Sequence, residues 1–148
     1  MKILLAPSET KKSGGDLSFN PNSLLFESLL PQRTKLLHTY MNVLQKGDIP
    51  TLSKMFGLKK ESDILAHKKD IVHELRMKAI HIYTGVAFDY LGYEKLDLKA
   101  QSYIDSHVIL CSNRFGPNRP SYLIPEYKLK QGEPVGDSRT EQFYHEHS

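Results

Sequence analysis

The apolar residues of this chain fall into short blocks whose spacing alternates between strand-like and helix-like. "KILLA" at residues 2–6 is apolar, β-branched at Ile3 and stopped by Pro7, which predicts a short buried strand. The polar loop "PSETKKSGGD" follows, and Asn20 and Asn22 around Pro21 carry helix-start chemistry ahead of "SLLFESLL". Leu36, Leu37, Tyr40, Val43 and Leu44 lie near helical spacing and predict a helix over 33–45, closed by Gly47 and Asp48. A short helix is expected over 51–56, a hairpin at Gly57, and a longer helix over 61–78 with Ile64, Leu65, Ile71, Val72 and Leu75 on its stripe. "AIHIYTG" reads as a strand ending at Gly85, "VAFDYLGYEKL" as a short helix or turn, "LKAQSYIDSH" as a helix and "VILCS" as a buried strand. "NRFGPNRPSYLIP" is a Gly/Pro-rich loop, "EYKLK" alternates like an edge or hairpin strand, and "QGEPVGDSR" is a turn. "TEQFYHEHS" begins a helix capped by Ser138 or Thr140. Strands and helices are interspersed, so the expected class is α+β or α/β, a mixed sheet with surrounding helices in one domain over 1–148.

Composition narrows this picture only slightly. Of 148 residues 39% are hydrophobic and 25% charged, as in ordinary globular domains. The net charge of +3 and a pI near 8.9 permit an anionic partner without demanding one. One cysteine excludes an internal disulfide and suits a reducing compartment. No apolar run approaches the roughly 20 residues of a membrane helix, and "KILLA" is too short for a signal-peptide core. The expected setting is the cytoplasm, with no membrane partner.

Candidate chemistry lies in three places. Ser8, Glu9, Thr10 and Lys11 sit just beyond a strand end, where sites form in mixed sheets, and Lys11, Lys12 and the exposed backbone of Gly14 and Gly15 suit an anion. A solvated surface loop explains the same residues, and the spacing is not that of a P-loop. "TLSKMFGLKKESDIL" resembles a helix-hairpin-helix, in which hairpin N–H groups and nearby lysines hold DNA phosphates without reading bases. Residues 51–78 carry seven bases against four acids, an excess equal to that of the whole chain. Lys54, Gly57, Lys59, Lys60, Lys68 and Lys69 are the candidate phosphate contacts, although Lys59 stands where a second glycine is usual; a helical pair with lysines on its wet face is the plainer alternative. Arg114 and Arg119 lie on a rigid loop after a strand, placed either to recognise an anion or to tie loop carbonyls together. The seven histidines form no ligand pattern, His81 reads as a satisfied strand residue, and Cys111 reads as core. No metal or cofactor is expected, and no catalytic set is recognisable.

Three blocks together resemble the YaaA family of bacterial cytoplasmic proteins. "ILLAPSETKKSGG" is similar to the subgroup pattern P-S-E-x-K-x-x-G-G, and "YTGVAFDYL" to Y-x-G-[DV]-x-[YF]. "CSNRFGPNRPSYLIPEYKLKQG" resembles S-x-x-[YF]-G-x-x-R-P-x-x-x-I/M-x-x-Y-x-L-x-x-G, with Ser112, Phe115, Gly116, Arg119, Pro120, Tyr127, Leu129 and Gly132 in register. Glu9 and Val86 stand where many members carry Lys and Asp. Members continue well past the position of Ser148, so the chain resembles an N-terminal portion of a longer family domain. The resemblance implies a YaaA-type α+β fold with a helix-hairpin-helix-like element, a basic cleft, a role in peroxide stress and iron limitation, and binding of double-stranded or branched DNA. It places Pro7, Ser8, Glu9, Lys11, Tyr83, Gly85, Asp89, Ser112, Gly116, Arg119, Pro120 and Tyr127 around that cleft. The alternative is an enzyme acting there on a small phosphorylated or carboxylate substrate.

Overall fold

The computed structural model describes residues 1–15, 27–71 and 74–145. The helix expected to start at Asn20 falls largely outside the described residues, and Val72 lies outside them too. The fold is mixed α+β. Its elements are β1 (Ile3–Leu5), α1 (Leu30–Lys46) entered through a 3-10 turn, α2 (Ile49–Phe56), α3 (Glu61–Ala66), β2 (Arg76–Lys78), α4 (Ala79–Ile82), α5 (Val86–Leu91), α6 (Leu98–His107), β3 (Val108–Ser112), β4 (Gly116–Asn118), β5 (Leu123–Pro125) and α7 (Thr140–His145).

Helix α1 starts three residues before its expected position because Pro31, which lacks an N–H, fits the first turn of a helix. Leu36, Tyr40 and Leu44 recur every fourth residue and are buried. Arg33 lies on the same face: its Nε donates to the Phe115 carbonyl at 2.8 Å and its Nη2 to that of Pro117 at 3.1 Å. Helix α2 is capped by Asp48, whose carboxylate accepts from the Thr51 N–H at 2.9 Å. It ends at Gly57 in the left-handed region, φ 68°, ψ 30°. Leu52, Met55 and Phe56 of α2 pack with Ile64 of α3 in the core cluster.

Strand β3 pairs parallel with β1 (Ile3 opposite Val108) and antiparallel with β4 (Ser112 opposite Gly116). Strands β2 and β5 form a separate antiparallel pair, Met77 opposite Ile124. The strand β1 was expected to be buried, yet Leu4 is 70% exposed, and Cys111 faces outward rather than into the core. Side chains alternate across β3: Val108, Leu110 and Ser112 are buried while Ile109 and Cys111 border a groove of about 780 Å³ that Leu4 and Tyr144 also line.

Four further expectations are corrected by the fold. The helix expected over 61–78 stops at Ala66, because residues 76–78 pair with β5 and the buried Arg76 donates through Nη1 to the Ile71 carbonyl at 2.9 Å. The strand expected over 79–85 is instead the single turn α4, whose first N–H groups find the carbonyls of Tyr122 (2.7 Å) and Pro120 (3.0 Å); His81 is therefore helical, with Nδ1 2.9 Å from Glu94. The loop expected after Ser112 contains two short strands, β4 and β5. "EYKLK" alternates in burial as expected but joins no strand. Its backbone pairs with other groups: the Tyr40 hydroxyl donates to the Lys128 carbonyl (2.8 Å), and the Lys130 N–H donates to the Met55 carbonyl (2.9 Å).

Candidate functional site

The opening loop is not a loose surface turn. Pro7 ends β1, and the Ser8 hydroxyl turns the chain by accepting from the Thr10 N–H at 3.1 Å. Thr10 then binds residue 84 twice: its hydroxyl donates to the Thr84 carbonyl and its carbonyl accepts from the Thr84 N–H, both at 3.1 Å. The Lys12 N–H donates to the Ile82 carbonyl at 2.9 Å. Lys11 is thereby set opposite Tyr83 in an isolated antiparallel bridge. Gly85 follows against the Ser8 and Thr10 hydroxyls with φ +108°, a backbone conformation that residues with a Cβ rarely adopt.

Lys11 Nζ lies 4.4 Å from the ring centroid of Tyr127 and 5.5 Å from that of Tyr83. It donates to the carbonyls of Ser8 (3.0 Å) and Glu9 (3.4 Å). Burial, reinforced by the nearby Lys128 ammonium and opposed by Glu9 and Glu126, lowers its pKa from 10.5 to about 8. The Glu9 carboxylate is engaged elsewhere: it accepts from the Gln131 N–H at 3.3 Å.

Beneath the ammonium lies a closed set of hydroxyls. Tyr127 donates to the Asn113 side-chain oxygen at 3.0 Å, so its own oxygen accepts from Tyr83 (3.0 Å) and Ser112 (2.9 Å). The Ser112 oxygen in turn accepts the N–H groups of Arg114 (3.1 Å) and Phe115 (3.0 Å). Burial raises the pKa of both tyrosines, so they are neutral at physiological pH. This set orients the rings under Lys11.

The other expected residues are more scattered. Asp89 is exposed on α5 beside a cavity of about 410 Å³ that Tyr83 and Lys12 also line. Arg119 is exposed, and among the described residues no hydrogen bond or ion pair joins its side chain to the Lys11 cluster. Pro120 offers its carbonyl to α4, and Gly116 lies under the Tyr144 ring, where a Cβ would meet Cε1 at 2.8 Å. Sequence reasoning missed Asn113 and Lys128, which complete the cluster from either side. It also missed the burial of Arg114, whose guanidinium lies 5.1 Å from the Tyr40 ring centroid and 4.9 Å from that of Phe115.

The hairpin is present. α2, Gly57 and α3 form two short helices around a left-handed glycine, and the side chain of Lys130 packs against Gly57. Lys54, Lys59, Lys60, Lys68 and Lys69 are all exposed, and among the described residues none forms an ion pair. Residues 127–131 connect this hairpin to the cluster: Tyr127 lies under Lys11, Lys128 Nζ stands 3.5 Å from the Glu9 carbonyl, and Lys130 touches Gly57. A cavity of about 20 Å³, room for one water, lies between Lys69, Glu126, Tyr127 and Lys128. Among the described residues no three His, Cys, Asp or Glu side chains converge to hold a metal, and no helix is long and apolar enough to cross a membrane.

The lysine makes a prediction about stability. Folded Lys11 loses its proton near pH 8 and the unfolded chain near 10.5, so between these values the unfolded state binds more protons and stability rises with pH. Relative to Lys11→Met, the natural chain should gain about 1–2 kcal/mol from pH 7.5 to 9.5, allowing for solvent screening of a half-buried group. Thermal unfolding of both proteins at the two pH values measures this, and parallel curves would show that Lys11 is ordinarily solvated.

Over residues 1–148 the chain matches the family described as peroxide stress protein YaaA. It belongs to that family. Similar proteins include the uncharacterised protein Cj0984 of Campylobacter jejuni, 38% identical over 148 residues, covering 99% of this chain and 60% of that one. A UPF0246 protein of Lactobacillus delbrueckii is 24% identical over 135 residues, covering 91% of this chain and 53% of its own. UPF0246 protein RC0754 of Rickettsia conorii is 23% identical over 134 residues, covering 89% and 54%. The chain therefore spans little more than half the length of these YaaA relatives.

Proposed function

We propose that this chain serves the family's peroxide-stress role in the cytoplasm by binding the phosphates of duplex or branched DNA, thereby limiting iron-driven damage to it. The observation that carries this reading is the set of five exposed lysines around the α2–Gly57–α3 hairpin, unpaired among the described residues and backed by Lys130. Such lysines contact phosphates as point charges, which supports affinity without base readout. Binding should therefore weaken steeply with salt. Lys59→Ala with Lys60→Ala should lower the slope of log affinity against log salt by about 2 and weaken binding of a plain duplex several-fold. Fluorescence-anisotropy titrations at three salt concentrations make the measurement; an unchanged slope would remove the hairpin from the interface.

The Lys11 cluster favours a second reading, in which the cleft takes a small phosphorylated or carboxylate substrate. Its support is a half-buried amine held over two aromatic rings between Glu9, Glu126 and Lys128.

A further inference from the structure

We infer that Lys11 Nζ, held over the rings of Tyr127 and Tyr83, is an amine nucleophile that forms an imine with an aldehyde carried beside a phosphate. The inference rests on reading the cleft and its neighbouring lysines as a site for phosphorylated ligands.

A neutral amine has two N–H bonds and one lone pair. The Ser8 and Glu9 carbonyls, 3.0 and 3.4 Å away, take the two hydrogens and leave the lone pair as the remaining tetrahedral position. The backbone cannot easily carry the amine away, because residues 10 and 12 are hydrogen-bonded to residues 84 and 82 on either side of it. The groups facing it are Glu9, Glu126, Lys128 and the neutral hydroxyls of Tyr83 and Tyr127. Their net effect with burial leaves, near pH 7.5, about two orders of magnitude more free base than an ordinary lysine has. Desolvated lysines beside other cations act as Schiff-base nucleophiles for this reason.

The step needs no further reagent. The lone pair attacks the carbonyl carbon and a C–N bond forms. Both amine hydrogens and the aldehyde oxygen leave as water, and a C=N bond remains. Lys128 supplies positive charge for the neighbouring phosphate, and residues 127–131 lead from the amine to the lysine-bearing hairpin. Two sources carry this chemistry: the ring-opened sugar of an abasic site in DNA, and a free sugar phosphate.

The test is reductive trapping with sodium cyanoborohydride, followed by peptide mass mapping of the 148-residue chain. One arm uses a duplex with a single abasic site, with intact duplex as control; the other uses glyceraldehyde 3-phosphate. Lys11 should be modified at least about ten-fold faster than Lys12, with a rate that levels off above about pH 8. Modification by the abasic duplex at lower concentration than by the sugar phosphate identifies DNA as the source, and the reverse order identifies a free sugar phosphate. If Lys11 reacts no faster than Lys12 in both arms, the inference is wrong, even where anisotropy shows that intact duplex is bound. If duplex is not bound but glyceraldehyde 3-phosphate still selects Lys11, the DNA reading falls and the inference stands.

Discussion

Arg114→Met is expected to stabilise the protein, by about 1–3 kcal/mol and several degrees in melting temperature. Arg114 is fully buried, and among the described residues Nε, Nη1 and Nη2 have no hydrogen-bond partner. Its neighbours are the rings of Tyr40 and Phe115, and the hydroxyls of Tyr40, Tyr127 and Tyr144 are uncharged at neutral pH. Two ring contacts stabilise a desolvated guanidinium by about 2 kcal/mol each at best. Stripping water from the cation and its five N–H groups costs several kcal/mol more than that. Methionine keeps the unbranched stem and the packing against both rings while removing the charge. Thermal unfolding followed by circular dichroism decides the matter. A lower melting temperature would mean that the aromatic contacts outweigh the desolvation.

Gly15→Ala should act in the other direction and lower stability by roughly 3 kcal/mol or more. Gly15 has φ +118°, and a Cβ there would lie 1.9 Å from the carbonyl oxygen of Arg76 and 2.3 Å from its carbon. Both are backbone atoms at the start of β2, which cannot retreat without breaking its pairing with β5. The neighbouring Gly14 provides the control. Its φ is +126°, but a Cβ there would meet only the flexible end of Met77 at 3.4 Å. Gly14→Ala should therefore cost only its backbone strain, about 1–2 kcal/mol. Urea unfolding of both variants should show the gap, and equal losses would mean that the opening loop does not rest on β2.

These two sites differ in what a reader of the sequence could see. The paired glycines mark a backbone that needs unusual angles, and the structure adds only what they lie against. Arg114 carries no such mark: it follows a strand in a polar, Pro-rich loop, where arginines are usually wet. Of the rings that enclose it, Phe115 is its neighbour in the chain, but Tyr40 and Tyr144 lie 74 and 30 positions away and are brought there only by the fold.

The same division holds for the candidate site. Lys11, Tyr83, Ser112 and Tyr127 were named through family resemblance, and they do meet. Their contacts arise because Thr10 and Lys12 pair with residues 84 and 82 and because Tyr127 donates to Asn113. Arg119, named on the same grounds, is exposed. Lys128 has no local signature beyond alternation in "EYKLK", yet it helps to set the charge on Lys11.

By itself the sequence determined the helices whose information is local. Buried residues recur along α1, Asp48 and Asp97 cap α2 and α6, and Gly57 ends α2, all within one or two helical turns. It also determined the lysine-rich hairpin, because a left-handed glycine between two short apolar stripes has few alternatives. Tertiary structure decided the rest: that residues 76–78 are a strand, that 79–82 turn as a helix, that Leu4 and Cys111 face outward, and that Lys11 is half-buried. Elements of three or four residues contain too few side chains for a period to show. Their backbone groups take whichever partner the folded chain brings within reach, here the carbonyls of Pro120 and Tyr122 and the strand 123–125.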